Sequence, residues 1–230
     1  MSLGSQSEAN EIFEYVQRFS AWREFNNGME YNRQTAERWE YQREMGYIPE
    51  DSPLEFYYPY GPELPEPEMP EGWKYLAAGV SRRAYLSPTG VVYKVQKTPG
   101  SDYQGNRGEH QTAEYIRSLG NVVGAVIPRT ELYEVPGCYV IALEFMDGIR
   151  GHDKWDRNCY GTNCRCGFMA GRCARTIRRE LENKFGLSDL HSENVLWIPS
   201  QRKWAVVDLG LSNRRSENES AESRCNCGWC

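Results

Sequence analysis

A chain of 230 residues, 40% of them hydrophobic and 26% charged, is long enough to bury a core, and its mean hydropathy of -0.72 gives it a large wetted surface. The net charge of -5 excludes a broad basic footprint of the kind that displaces counterions from nucleic acid, and the locally positive RTIRREL at 175 to 181 reads as a solvated helix face. No run of 18 apolar residues exists, and the opening residues lack a basic stretch followed by an apolar one, so neither a membrane span nor a secretory signal is expected and a cytoplasmic setting follows.

Residues 8 to 46 read as two helices. Ile12, Val16 and Phe19 recur at helical spacing, Asn26-Asn27-Gly28 interrupts the pattern, and the i, i+4 pairs Thr35 with Trp39 and Tyr41 with Met45 resume it. The interval from 47 to 71 holds seven prolines and no lysine or arginine, which makes it an extended acidic connector. From Gly72 the texture becomes that of strands: one to about Ala78, a turn at Gly79, a second strand, an SPTG hairpin turn at 87 to 90, and VVYKVQK as a third. NRGEHQTAEYIRSLG follows as a helix that stops at Gly120, and AVIPRTELYEV and GCYVIALEFM supply two further strands. The expected class is α+β, an antiparallel sheet with one helix inserted after its third strand.

After Asp147 the chain is polar and rich in cysteine before a helix near Arg175 to Phe185. NVLWIPSQRKWAVVDLG then reads as a hairpin, and the last twenty residues have a disordered composition up to their cysteines. The expected organisation is a helical extension over 1 to 46, a connector over 47 to 71, a strand-rich unit over 72 to 147, a second unit over 148 to 212 and a tail over 213 to 230.

Several polar residues stand where they need a reason. Lys94 lies mid-strand between apolar neighbours, where an ammonium either meets an anion or snorkels at an edge. Glu109, Ala113 and Ile116 fall at i, i+4 and i+7, so Glu109 shares the inward face of its helix whereas Glu114 does not; it either pairs with Lys94 or serves as a charge at the helix N-terminus. Asp189 and Asn194, five apart in DLHSENVLW, lead into a strand, and Asp208 emerges from the opposing strand ahead of Gly210. An acid to orient a hydroxyl, an amide and a carboxylate for magnesium, and a cation for phosphates are the groups that phosphoryl transfer requires.

DLHSENVLW followed by VVDLGLS resembles the catalytic loop and the magnesium-binding DFG segment of the protein-kinase-like superfamily, and the 14 residues from Asn194 to Asp208 fit the intervening hairpin. On the same resemblance Lys94 stands for the lysine of the VAIK strand, Glu109 for its helix partner, Gly79 in GVSRRAY for a much reduced glycine-rich loop, and Glu144 in ALEFMDG for the hinge that meets adenine through its backbone. The match covers roughly 73 to 212 and implies a two-lobed kinase-like fold that binds ATP and magnesium, with a reduced second lobe whose uncovered surface takes a protein partner or a second copy. It implies Lys94 on the α and β phosphates, Glu109 fixing Lys94, Asp189 orienting the acceptor, and Asn194 and Asp208 on magnesium. Leu187 and Ser188 stand where the family has His and Arg or Gly. His191 falls at the lysine position of the family loop, and His110 and His152 have no partner visible in the sequence.

Seven of the eight cysteines lie in two late clusters, 159 to 173 and 225 to 230. Cys164 and Cys166 with Cys225, Cys227 and Cys230 form a candidate zinc site joining the tail to a lobe short of core; the alternative is a set of reduced thiols without a ligand. Two functions therefore compete, an ATP-dependent phosphotransferase and a non-catalytic, pseudokinase-like interaction or assembly protein. Retention of Lys94, Glu109, Asp189, Asn194 and Asp208 together favours the first, and the thin glycine loop and long acidic arm favour the second.

Overall fold

The computed structural model describes residues 2–49, 64–99, 105–120, 124–150, 174–187, 190 and 194–209. Helix α1 (Gln6–Glu44) comes first. It is followed by β1 (Lys74–Ala78), β2 (Arg82–Leu86), β3 (Val91–Gln96), helix α2 (Gly105–Ser118), β4 (Ala125–Val126), β5 (Thr130–Val135), β6 (Cys138–Glu144) and β7 (Ile149–Arg150). Helix α3 (Ala174–Phe185) and the hairpin β8 (Val195–Ile198) and β9 (Lys203–Val206) complete it. Five strands form an antiparallel sheet in the order β1-β2-β3-β6-β5, and four form a second sheet in the order β4-β9-β8-β7. The class is α+β.

The alternation of the first sheet sorts its residues between two faces. Tyr85, Val91, Tyr93, Val95, Val140 and Ala142 pack against Ala9, Ile12, Phe13, Tyr15 and Val16 of α1, with Trp73 closing the edge. Ala84, Val92, Lys94, Ile141 and Leu143 fall on the opposite face by the strand registers. Helix α1 is anchored at its start by an N-cap: Ser5 Oγ accepts from the Glu8 N–H at 3.2 Å and donates to the Glu8 carboxylate at 3.3 Å, while the Ser5 N–H donates to Tyr93 Oη at 3.0 Å. The same carboxylate accepts from Tyr93 Oη at 2.8 Å and Thr89 Oγ1 at 2.7 Å, tying the helix to β3 and to the β2–β3 turn.

Two local expectations are corrected. Residues 8 to 46 do not form two helices, because α1 runs unbroken through Asn26-Asn27-Gly28. Glycine costs a helix about 1 kcal/mol relative to alanine, which a cooperative helix with exposed ion pairs such as Arg33–Glu30 and Arg33–Glu37 absorbs. AVIPRTELYEV is not one strand: Pro128 has no N–H for a ladder, so Ala125–Val126 leaves to pair in parallel with β9 in the second sheet while Thr130–Val135 pairs with β6.

Helix α2 couples the two sheets. Gly120 ends it with φ +75, its N–H on the Arg117 carbonyl at 3.0 Å, a conformation that costs glycine nothing. Ala113 and Ile116 join the lower core of Ile177, Leu181, Phe185, Leu187, Val195, Trp197, Trp204 and Val206. The other face of the small sheet, Leu196, Ile198 and Ala205, packs on Met146. The chain crosses between the sheets at Gly148, where an added Cβ would lie 2.9 Å from Leu196 Cβ and 3.0 Å from the Trp197 carbonyl oxygen, so the close approach requires glycine.

Candidate active site

Between the sheets lies a cleft of about 620 Å³. Its upper wall carries Gly79, Arg82, Ala84, Val92 and Lys94; Leu143 to Gly148 line its back; Asn194, Leu196, Val207 and Asp208 line its floor.

Lys94 reaches this cleft because β3 alternates, sending Tyr93 and Val95 into the α1 core. Its Nζ meets Glu109 Oε1 at 2.6 Å, Asp208 Oδ2 at 3.3 Å and the Val207 carbonyl at 3.0 Å. Glu109 is presented by the face of α2 that also buries Ala113 and Ile116, whereas Glu114 turns outward to Arg117 at 2.6 Å. The Glu109 side chain is 2% exposed, that of Lys94 10%, and that of Asp208 32%, so the network runs from a dry end at α2 to a wet end at the cleft.

A fourth charge closes the network, and the sequence motifs did not point to it. Arg82 of β2 places NH1 2.6 Å from Glu109 Oε2 and NH2 3.4 Å from Asp208 Oδ1. Each carboxylate thus touches both cations, and the formal charges of the four side chains cancel. A signal was available: the SPTG turn fixes the β2–β3 register, which sets Ala84 opposite Lys94, and counting back two residues puts Arg82 rather than Arg83 on the Lys94 face. Arg83 accordingly lies on the other side, its guanidinium 4.4 Å from the Phe19 ring centroid.

Asn106, in the first turn of α2, is the second residue that the motifs missed. Its amide donates to the Lys94 carbonyl at 3.0 Å and the Tyr139 carbonyl at 2.7 Å, and its oxygen accepts from Arg82 NH1 at 3.3 Å. It is buried, and it pins the helix that carries Glu109 to the strand that carries Lys94.

Gly79 stands at the β1–β2 turn over the cleft, its N–H donating to the Arg82 carbonyl at 3.0 Å and its own carbonyl accepting from Lys97 Nζ at 2.5 Å. A Cβ there would meet nothing within 4 Å. The Lys97 ammonium, which also holds the Val80 carbonyl at 2.9 Å, lies below the usual lysine range through burial and the charges of Arg83 and Arg23. Glu144 ends β6 at the back of the cleft, its N–H on the Arg129 carbonyl at 3.0 Å. Among the described residues nothing accepts from the N–H of Met146, two residues further on. The Asn194 carbonyl accepts from the Val207 N–H at 2.9 Å, which fixes the two floor strands beside Asp208.

Asp189 lies outside the described residues, between Leu187 and Leu190, both buried in the lower core. Leu187 is therefore an apolar anchor. Cys164, Cys166, Cys225, Cys227 and Cys230 also lie outside the described residues, as do His152 and His191. Among the described residues no cluster of three or more metal-ligating side chains occurs, and His110 has a partner after all, with Nδ1 2.8 Å from Thr130 Oγ1.

A five-stranded antiparallel sheet whose third strand gives a lysine to a helix glutamate and to an aspartate across a cleft is the arrangement that the sequence resemblance implied. No protein-family model and no curated protein matches the sequence. Among solved structures, the chain is similar to APH(2'')-IIIa in complex with GDP and kanamycin, at 10% identity and a TM-score of 0.39, over 62% of this chain and 68% of that one. It is also similar to Rad53 1-466 in complex with AMP-PNP, at 15% identity and a TM-score of 0.33, over 61% of this chain and 38% of that one. No described helix is long and apolar enough to cross a membrane.

Proposed function

We propose that the chain binds ATP in the cleft and transfers a phosphoryl group to an acceptor hydroxyl. The observation that carries this reading is Lys94, held between Glu109 at 2.6 Å and Asp208 at 3.3 Å where the cleft meets its floor. Glu109 holds the ammonium in place, and Lys94 meets the α and β phosphates. The apolar Ala84, Leu143 and Leu196 wall the space for the base, with the Glu144 carbonyl and the Met146 N–H as its backbone contacts. Asp189 orients the acceptor.

Asn194 and Asp208 would hold magnesium, which suits an ion that takes one or two protein oxygens and fills its other positions with water and phosphate. The chemistry such an ion would supply there is positive charge against the negative charge that develops in transfer. A zinc staple between the two cysteine clusters belongs to the same reading; less than about 0.2 equivalents of zinc in protein purified without chelator would remove it.

The test is thermal unfolding with ATP and magnesium, followed by transfer of labelled phosphate. At a hundred times Kd, binding to the native state adds about 2.7 kcal/mol, or roughly 5 to 10 °C for a chain of this size. No shift in the wild type would sink the proposal. The second reading, a nucleotide-binding pseudokinase, is favoured by one observation: Asp208 is engaged by both Arg82 and Lys94, so the network is already neutral. A shift without transfer to any acceptor would select it.

A further inference from the structure

The β1–β2 turn is poorly equipped to cradle an anion. Phosphate-covering loops work by turning several backbone N–H groups toward the ligand. Here the turn is only Gly79 to Ser81, the Gly79 N–H is committed to the Arg82 carbonyl, and the nearby Lys97 ammonium is directed to the carbonyls of Gly79 and Val80. A polyphosphate entering the cleft therefore needs a positive group from elsewhere on the upper wall.

Arg82 is that group. It follows the turn directly, its side chain is 19% exposed, and it lines the cleft on the Lys94 face of the sheet. Glu109 Oε2 holds NH1 at 2.6 Å while Glu109 Oε1 holds Lys94 at 2.6 Å, so the two cations flank one buried carboxylate. Their contacts to Asp208 are longer, at 3.4 and 3.3 Å, and lie at the wet end of the network. The firm contact anchors each cation at the back, and the looser one faces the space that a ligand fills. The short turn and the arginine explain each other, because a planar guanidinium recognises phosphate oxygens with directed N–H groups much as a row of backbone amides does.

We propose that Arg82 is a second phosphate-binding residue, acting with Lys94 on the terminal phosphates of a nucleoside di- or triphosphate in place of glycine-loop amides. This inference rests on the nucleotide-binding reading of the cleft and adds to it the group that counts phosphates. Its consequence is selectivity along the series ATP, ADP, AMP and adenosine, the binding energy rising where a β or γ phosphate is present.

The experiment is calorimetric titration of the full chain with each of these four compounds in magnesium buffer, for wild type, Arg82→Gln and Arg82→Lys. Losing a charge-assisted contact should weaken ATP and ADP by about ten- to a hundredfold in Arg82→Gln, with adenosine changed less than about twofold. Arg82→Lys keeps the charge against Glu109 and loses the fork, so it should show the same selective loss to a smaller degree; it decides the matter if Arg82→Gln melts too low to titrate. A role confined to holding Glu109 would weaken all four compounds alike or none, and either result overturns the assignment. Wild-type protein that binds none of the four overturns the nucleotide reading and this inference together, whereas wild-type binding with the ATP-to-adenosine ratio unchanged in both variants overturns the inference alone.

Discussion

Glu109→Gln is the sharpest test of the charge network. The side chain is 2% exposed and holds two cations at 2.6 Å, so the substitution leaves Lys94 and Arg82 facing a neutral amide, with Asp208 as the carboxylate that still touches both among the described residues. Removing one partner of a fully buried pair costs about 3 to 5 kcal/mol. The cleft admits water to Asp208, which is about a third exposed and can draw the cations outward, so the expected cost is about 2 to 4 kcal/mol. For a chain of this length that lowers Tm by roughly 4 to 16 °C. Lys94→Met should cost less, because Glu109 keeps Arg82. The double variant should recover part of the loss, since the stranded cation is gone. The assay is denaturant unfolding of wild type, both single variants and the double variant, with the coupling read from the cycle. Additivity within about 0.5 kcal/mol would show that Lys94 and Glu109 do not stabilise each other and would refute the reasoning.

Three further outcomes are expected. Gly148→Ala forces its Cβ against Leu196 and the Trp197 carbonyl, and should destabilise by about 1 to 3 kcal/mol; an unchanged melt would mean that the crossing is looser than drawn. Burial opposes ionisation of Glu8, but the hydrogen bonds from Thr89, Tyr93, Ser87 and Ser5 outweigh it and hold the carboxyl below its ordinary 4.5. Its stabilising contribution is therefore complete above pH 4.5 and is lost as pH falls through the lower folded value, so the gap between wild type and Glu8→Gln should narrow in acid; a gap that is constant from pH 7 to pH 3 contradicts this. Asp208→Asn should abolish phosphoryl transfer while costing about 1 kcal/mol of stability, given its partial exposure and contacts of 3.3 to 3.4 Å, and retained transfer would remove Asp208 from the chemistry.

What the sequence made legible follows from where a single physical effect dominates. Alternation and turn chemistry located the hairpins, because a strand with one face on α1 and one on a cleft has little freedom of register. The pairing of Lys94 with Glu109 was one of two sequence readings, an ammonium amid Val92, Tyr93 and Val95 either meeting an anion or snorkelling, and the inward face shared by Glu109, Ala113 and Ile116 favoured the first. Arg82 escaped notice because RRA offers two adjacent arginines, and which one faces the cleft depends on pairing with β3 rather than on either residue's surroundings in sequence. Asn106 gave no signal at all, as an asparagine in a first helical turn is unremarkable until its backbone partners on β3 and β6 are known. The continuity of α1 was hidden for an energetic reason: the local penalty of Asn-Asn-Gly is real but smaller than the cooperative gain of the helix around it.

Helix α1 is about 58 Å long and precedes in the chain every strand that receives it. Gln17 bonds to the Gln96 carbonyl, Leu3 to Glu131, and Ser2 to Glu131 and Tyr133, separations of 79 to 131 residues. On a ribosome moving at about 5 to 20 residues per second, the apolar stripe of Ala9, Ile12, Phe13 and Val16 waits for roughly 7 to 26 seconds before β5 and β6 emerge. The helix is thus synthesised ahead of every strand that buries it, and its apolar stripe stays uncovered until those strands follow.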